Sequence, residues 1–320
     1  MRAVPLAARL FTATMPALLC LLLLAAGGGV ALAWGFVGHD LITCHAVTLV
    51  SGDLRAFLNA NTASLVAFSA EPDVLSESNP SEAPNHFLDM DAFDKPPFAA
   101  IPITESAFVE KFGKDALKEG RLPWAAADAY KALVASMRAK DCEGILRSAG
   151  HLSHYVADST MPLHGTKNYK GQATGNVILA DRTADRHVHL RFEIGMVETN
   201  RDEIDMLIGK QAGGVHRIAD PAAEIINNLR NSYSLIDPVL AADREILKPG
   251  QPVTPEYFKE MYKRVGGIAV SQMSFAAGEV ASFWESAYDD AGRPTLEPSG
   301  VRLKTPPLSR DIILNKDKPK

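Results

Sequence analysis

His154-Tyr-Val-Ala-Asp158-Ser-Thr-Met-Pro162-Leu-His164 is the run of the chain whose reading decides the fold. His154 and Asp158 stand four residues apart. On a helix their side chains lie ~40° apart around the axis and stack on one face. Pro162 ends such a helix, because its ring lacks the amide hydrogen and restricts the residue before it. His164 then arrives on the loop beyond. The same four-residue spacing recurs at His189 and Glu193. The Leu, Ala and Val around both pairs describe buried helices, and burying so many ionisable groups without a cation is costly. Imidazole nitrogen with carboxylate oxygen is a donor set that zinc prefers, with a position left for water where the site is catalytic. A lone His–Asp pair at this spacing is usually a surface hydrogen bond; two helical pairs with a His between them are a more specific signal.

Outward from this run, helical periodicity dominates. Ser51-Gly52-Asp53 precedes Leu54, Phe57 and Leu58, and Leu65 and Phe68 follow on a second short apolar face. Residues 127–137 and 145–157 repeat apolar side chains at three- and four-residue steps, with Asp141 placed to cap the second helix. Residues 186–208, 221–229 and 265–288 read the same way. Strand alternation is scarce and there is no internal repeat. Loops are expected at 71–84, 95–103 and 165–175, where Pro and Gly interrupt the pattern. From Gly292 the chain carries Pro294, Pro298, Pro306, Pro307 and Pro319 among charges, which predicts an extended or disordered tail over 292–320. The expectation is all-α: a single multi-helix domain over 34–291 around a buried site.

Residues 1–33 read as a secretory leader. Arg2 and Arg9 give a basic start, the run from Met15 to Ala26 is apolar, and Ala31-Leu32-Ala33 offers a small-x-small cleavage site. The apolar run is too short for a comfortable spanning helix. Export to the periplasm or beyond is expected, with Trp34 as the first mature residue. Loss of Arg2 and Arg9 takes the net charge from −5 to −7, which argues against holding nucleic acid by bulk electrostatics. Cys44 and Cys142 permit one disulfide at most.

Four segments then occur in one order: Trp34-Gly-Phe-Val-Gly-His39, His86-Phe-Leu-Asp89-Met-Asp91, the run from His154 to His164, and His189-x-x-x-Glu193. Together they resemble the superfamily of bacterial zinc-dependent phospholipases C and the single-strand-specific zinc nucleases of fungi and plants. The resemblance spans Trp34 to Glu193 and implies a trinuclear zinc site. One zinc would take Asp73, His86, His154 and Asp158; a second His164, His189 and Glu193; a third the amino group and carbonyl of Trp34, His39 and Asp158. Asp158 would bridge two ions, and Asp73 would count among the catalytic residues. Hydroxide between close zinc ions is a strong nucleophile at neutral pH, and a third cation can hold the other oxygens of a phosphodiester during in-line attack.

The motif details divide between the branches. Four residues between Trp34 and His39, and Gly175-Asn176, are similar to the nucleases; Glu193 as last ligand and His-Phe-x-Asp-x-Asp are similar to the phospholipases. The expected function is phospholipase C-like hydrolysis, the alternative a single-strand-specific nuclease, and the further alternative a non-catalytic exported zinc-binding protein. Phe87 and Asn176 are the expected substrate contacts, for a phospholipid headgroup or single-stranded nucleic acid. No stable nucleic-acid complex, only transient membrane contact and no protein partner are expected. Glu71, Glu77 and Glu82 compete with Asp73. Asp89 and Asp91 read as partners orienting His86 or as caps, His151 as a partner of the ligands or a core His, His187 as a rival of His189, and His45 and His216 as structural.

Overall fold

Most of the chain's apolar residues fall on helical stripes, and the computed structural model packs them as helices. It describes residues 34–76, 78–178 and 187–311; the expected leader, Glu77, 179–186 and 312–320 lie outside the described residues. Among the described residues no strand forms, and the single isolated β-bridge joins Leu88 and Gly120. The helices are α1 (Gly35–Leu49), α2 (Gly52–Ala60), α3 (Thr62–Ser69), α4 (Glu71–Ser76), α5 (Glu105–Phe112), α6 (Leu122–Ala139), α7 (Cys142–Asp158), α8 (Val188–Leu190), α9 (Val197–Thr199), α10 (Arg201–Gln211), α11 (Pro221–Tyr233), α12 (Ile236–Ile246) and α13 (Pro255–Asp290). A π-helical turn, Arg191–Met196, joins α8 to α9.

α13 is the axis of the core. Thr254 caps it by accepting from the Tyr257 amide at 3.3 Å, and Pro255 occupies its first turn. From Ala276 to Tyr288 every residue is buried, so this stretch of the helix is enclosed on all sides. It packs against α1, α7, α10 and α12, while α7 packs on α3 and α6. The helix starts at Pro255 rather than near Val265, because Tyr257 and Met261 bury a narrow stripe that the charged residues around them hide in the sequence.

Further expectations need correction. Residues 71–76 form α4 instead of a loop, since Pro72 sits in the first turn, where its missing amide costs nothing. The helix expected over 186–208 is broken by the π turn and again at Asn200. Over 292–311 the tail is extended and tied down. Its amides donate to helix side chains: Val301 N to Asn61 Oδ1 at 2.7 Å, Lys304 N to Glu143 at 2.7 Å and Leu308 N to Glu71 Oε1 at 3.0 Å. Arg310 closes the strap with a two-point grip on the buried Asp40 of α1. Asp141 does stand before α7, but it starts the helix with its backbone carbonyl and makes no side-chain cap. Cys142 is a free thiol, so it forms no bridge with Cys44.

Arg191, fully buried in the π turn, grips Asp243 of α12 through Nε to Oδ1 at 2.8 Å and Nη2 to Oδ2 at 2.7 Å. Removing one member of such a pair strands the other charge. Arg191→Met should therefore lower the unfolding free energy by about 3–5 kcal/mol, read as an earlier urea midpoint. A loss below about 1 kcal/mol would mean that packing alone holds the turn.

Candidate metal centre

Where α7 crosses α3, residue 150 has to be glycine. A Cβ there would lie 2.5 Å from Phe68 Cβ and 2.7 Å from its carbonyl carbon. The close crossing carries the Ser69 carbonyl, at the end of α3, to 2.8 Å from His154 Nδ1. A carbonyl only accepts, so Nδ1 holds the proton and Nε2 presents a lone pair. Burial pulls the His154 pKa down to about 3, so the ring is neutral.

That lone pair meets a crowd. His154 Nε2 lies 3.3 Å from Asp158 Oδ2, 3.5 Å from Asp73 Oδ1 and 2.9 Å from His86 Nδ1. His86 Nδ1 is 3.2 Å from Asp158 Oδ2 and 3.6 Å from Asp73 Oδ1. On the other side of the carboxylate, Asp158 Oδ1 lies 3.4 Å from His39 Nε2 and 3.9 Å from His164 Nδ1. The His39 ring stacks on His154 at 4.0 Å. Asp158 thus turns one oxygen toward each of two histidine sets. A third set forms where the 3₁₀ turn Pro162–Gly165 meets the π turn: His164 Nε2 lies 3.5 Å, and His189 Nε2 2.9 Å, from Glu193 Oε2. The His189–Glu193 pair was expected on a regular helix, and π turns of this kind often sit at functional sites.

Trp34 joins these groups at its own end of α1. It is fully buried, and its indole Nε1–H donates to the Ala157 carbonyl at 3.0 Å, one residue before Asp158. Its φ of 26° is a left-handed value.

The residues fit bound cations. His39, His154, Asp158 and Glu193 have no exposed surface. Both nitrogens of His39, Oδ1 of Asp158, Nδ1 of His164, Nε2 of His189 and both oxygens of Glu193 lack hydrogen-bond partners. Among the described residues, the ion-pair partners of Asp158 and Glu193 are all histidines. Most of these separations are too long for hydrogen bonds. They match the ~3.3–3.4 Å edge of a tetrahedron whose ligands stand ~2.0–2.1 Å from a zinc ion. Within each of the sets His39–His154–Asp158, Asp73–His86–His154 and His164–His189–Glu193, the donor atoms lie inside 4.8 Å of one another.

Other expected residues have different work. Asn176, expected at the substrate, has both amide hydrogens engaged within the fold. Its amide donates to Leu240 O at 2.8 Å and Asp243 Oδ2 at 2.7 Å, and its oxygen accepts from Thr174. Asp91 holds the loop after His164, accepting from Thr166 Oγ1 and the Lys167 amide. Asp89 precedes the 3₁₀ turn Met90–Ala92 without a side-chain cap bond; burial, with Asp91 and Glu119 nearby, pushes it up to about 7. Glu71 is taken by Arg147, His151 and the C-terminal strap, which accounts for His151. Glu82 accepts from Tyr155. His187 stacks on His189 at 5.7 Å and, pulled down to about 3 by burial, stays neutral. His45 pairs with Asp205. Phe87 is half-buried. His216 meets Glu224 and Glu279 in a fourth set. Arg191, Ser69 and Tyr169, whose ring meets His189 edge-on at 5.6 Å, were not singled out by sequence pattern, which carries no sign of who faces them.

No family model matches the chain. Among curated proteins, a probable serine protease of Bradyrhizobium tropiciagri is 24% identical, over 81% of this chain and 44% of its own length, so the chain spans less than half of that relative. Among solved structures, alpha toxin from Clostridium absonum is similar with a TM-score of 0.47 and 14% identity, over 82% of this chain and 65% of that one.

Gly150→Ala should push α3 off α7, because the new methyl meets backbone as well as side chain. We expect a loss of about 1–3 kcal/mol in stability together with a lower metal content after purification, since the carbonyl that orients His154 moves away. Unchanged metal content and stability would show that the crossing tolerates a side chain.

Proposed function

We propose that this chain is a zinc-dependent hydrolase of phosphate esters, acting phospholipase C-like on a phosphodiester. The observation that carries the reading is the division of the buried Asp158 carboxylate between two histidine sets, with a third His/Glu set beside them. On this reading Asp73, His86, His154 and Asp158 hold one zinc ion, His164, His189 and Glu193 a second, and Trp34, His39 and Asp158 a third. Zinc bound there supplies Lewis acidity, neutralises phosphate charge and lowers the pKa of water.

The rest is done by the chain itself. Ser69 fixes the tautomer of His154, and Arg191 with Asp243 keeps the π turn in place so that His189 and Glu193 converge. Such orienting contacts decide ligand direction and basicity. His189 and His86, with side chains 15% and 10% exposed, are the ligand candidates nearest to solvent, against 0% for His154 and His39. A phosphate therefore enters from their side, past Tyr169. The other walls are buried and exclude bulk water, which strengthens every charge interaction inside.

The serine protease named for the curated relative would need an accessible nucleophilic serine beside a histidine. Ser282 lies 3.2 Å from His216 Nδ1, but it is fully buried and its hydroxyl donates to Gly278 O. That geometry does not favour a protease.

Cleavage after Ala33 would complete the third set. A φ of 26° strains a bulky residue inside a chain, whereas a free amino terminus has no preceding carbonyl and escapes that constraint. The freed amine, with a pKa of about 7.7, is also a competent ligand, which an amide nitrogen is not.

Two experiments follow. Mature protein loaded with zinc should hydrolyse phosphatidylcholine faster than single-stranded DNA when both are assayed side by side. Asp158→Asn should abolish either activity and release zinc, and turnover of neither substrate by a fully loaded wild type would overturn the reading. Mature protein that keeps one extra methionine before Trp34 should fold, carry fewer zinc ions and lose most of its turnover. Full activity, with the extra residue confirmed by mass, would show that the amino terminus is not a ligand.

A further inference from the structure

Far along the chain from the histidine sets above, the loop between α10 and α11 lies on α13. Gly213 and Gly278 approach so closely that a Cβ on Gly278 would already be in contact with Gly213 backbone at 3.4 Å. Two backbone amides pin the loop: His216 N donates to Ser282 Oγ at 3.0 Å, and Ile218 N donates to Ser286 Oγ at 2.9 Å. His216 is thereby held over α13 with its side chain half-exposed, opposite Glu224 of α11 and Glu279 of α13.

The tautomer of His216 follows from its neighbours. Ser282 Oγ has one hydrogen, and it goes to the Gly278 carbonyl at 2.8 Å. Toward His216 Nδ1, 3.2 Å away, the hydroxyl can then only accept. Nδ1 carries the proton, and Nε2 turns a lone pair toward Glu279 Oε1 at 3.6 Å and Glu224 Oε1 at 3.9 Å. Both distances are too long for a hydrogen bond. A lone pair facing two carboxylate oxygens is repulsive unless a cation or a proton lies between them.

Glu279 supplies the second, independent sign. It is 2% exposed, and among the described residues its ion-pair partner is His216 alone. Asn228 of α11, itself 1% exposed, donates to Glu279 Oε2 at 3.2 Å and to Ser159 Oγ at 3.3 Å. That bond fixes Oε2 and leaves Oε1, with no hydrogen bond among the described residues, aimed at His216. A buried carboxylate with one oxygen so directed is costly without a positive partner.

We propose that His216, Glu224 and Glu279 form a separate divalent-cation site that binds one zinc ion. One imidazole and two carboxylates suit zinc, whereas calcium takes six or more oxygens and magnesium keeps most of its waters. Three protein ligands at a half-exposed position leave the remaining place to water, so this ion exchanges more readily than those at the Asp158 centre. Its effect on the fold is to clamp the loop before α11 onto α13.

The test is a zinc titration by calorimetry of the mature protein, purified with its tightly held metal in place. Wild type should take up one additional, weaker ion. His216→Ala and Glu224→Gln, both at accessible positions, should lower the affinity for that ion at least about tenfold while the tightly held zinc stays. Asp158→Asn should still bind the additional ion, which separates this site from the centre proposed for catalysis. Equal uptake by wild type and the two variants would overturn the proposal and show that the three side chains share a proton instead.

Discussion

A carboxylate with no exposed surface keeps its charge only if something positive meets it. Asp158 sits at the end of α7 with 0% exposure, and its partners are imidazoles, one of which, His154, is held neutral by burial and by the carbonyl of Ser69. A neutral ring with its lone pair turned inward cannot balance that charge. Imidazole nitrogens are, however, groups able to hold a metal ion beside it. The rest of the structure can be understood as the framework that keeps this otherwise unfavourable arrangement together.

The framework draws on segments far apart in the chain. Trp34 ties the start of α1 to Ala157 through its indole, and Gly150 lets α3 approach α7 closely enough to orient His154. At the far end of the sequence the extended strap reaches back to both. Leu308 bonds Glu71, two residues before Asp73, and Arg310 grips Asp40, next to His39. A buried hydrogen-bond chain from Glu279 through Asn228 ends on Ser159, beside Asp158 itself. Long-range packing of this kind fixes side chains more tightly than any single helix could, which is what closely spaced ligand atoms demand.

Much of this was legible in the sequence, for a physical reason. Helical spacing turns His154/Asp158 and His189/Glu193 into adjacent side chains whatever surrounds them, so those pairs could be read directly. Periodicity likewise revealed most helices. What was not legible depends on partners that periodicity does not encode. The pairing of Asn176 with Leu240 and Asp243 is one such feature. The anchoring of the proline-rich tail is another, because its acceptors lie between α2 and α3, on α4 and on α7. The setting of His216 is a third, because Glu224 and Glu279 reach it from two other helices. The π turn at Arg191–Met196 leaves no mark in composition, and the Asp243 that pairs with its buried Arg191 lies on another helix.

The claim on which the account depends is that cations occupy the space around Asp158. Diffraction from crystals of the mature protein, recorded on either side of the zinc absorption edge, tests it most directly. The account predicts anomalous peaks between His154 and Asp158, beside His39, and between His164 and Glu193. A well-ordered structure with no anomalous density there, and with the histidines and carboxylates hydrogen-bonded to one another or to water, would contradict it.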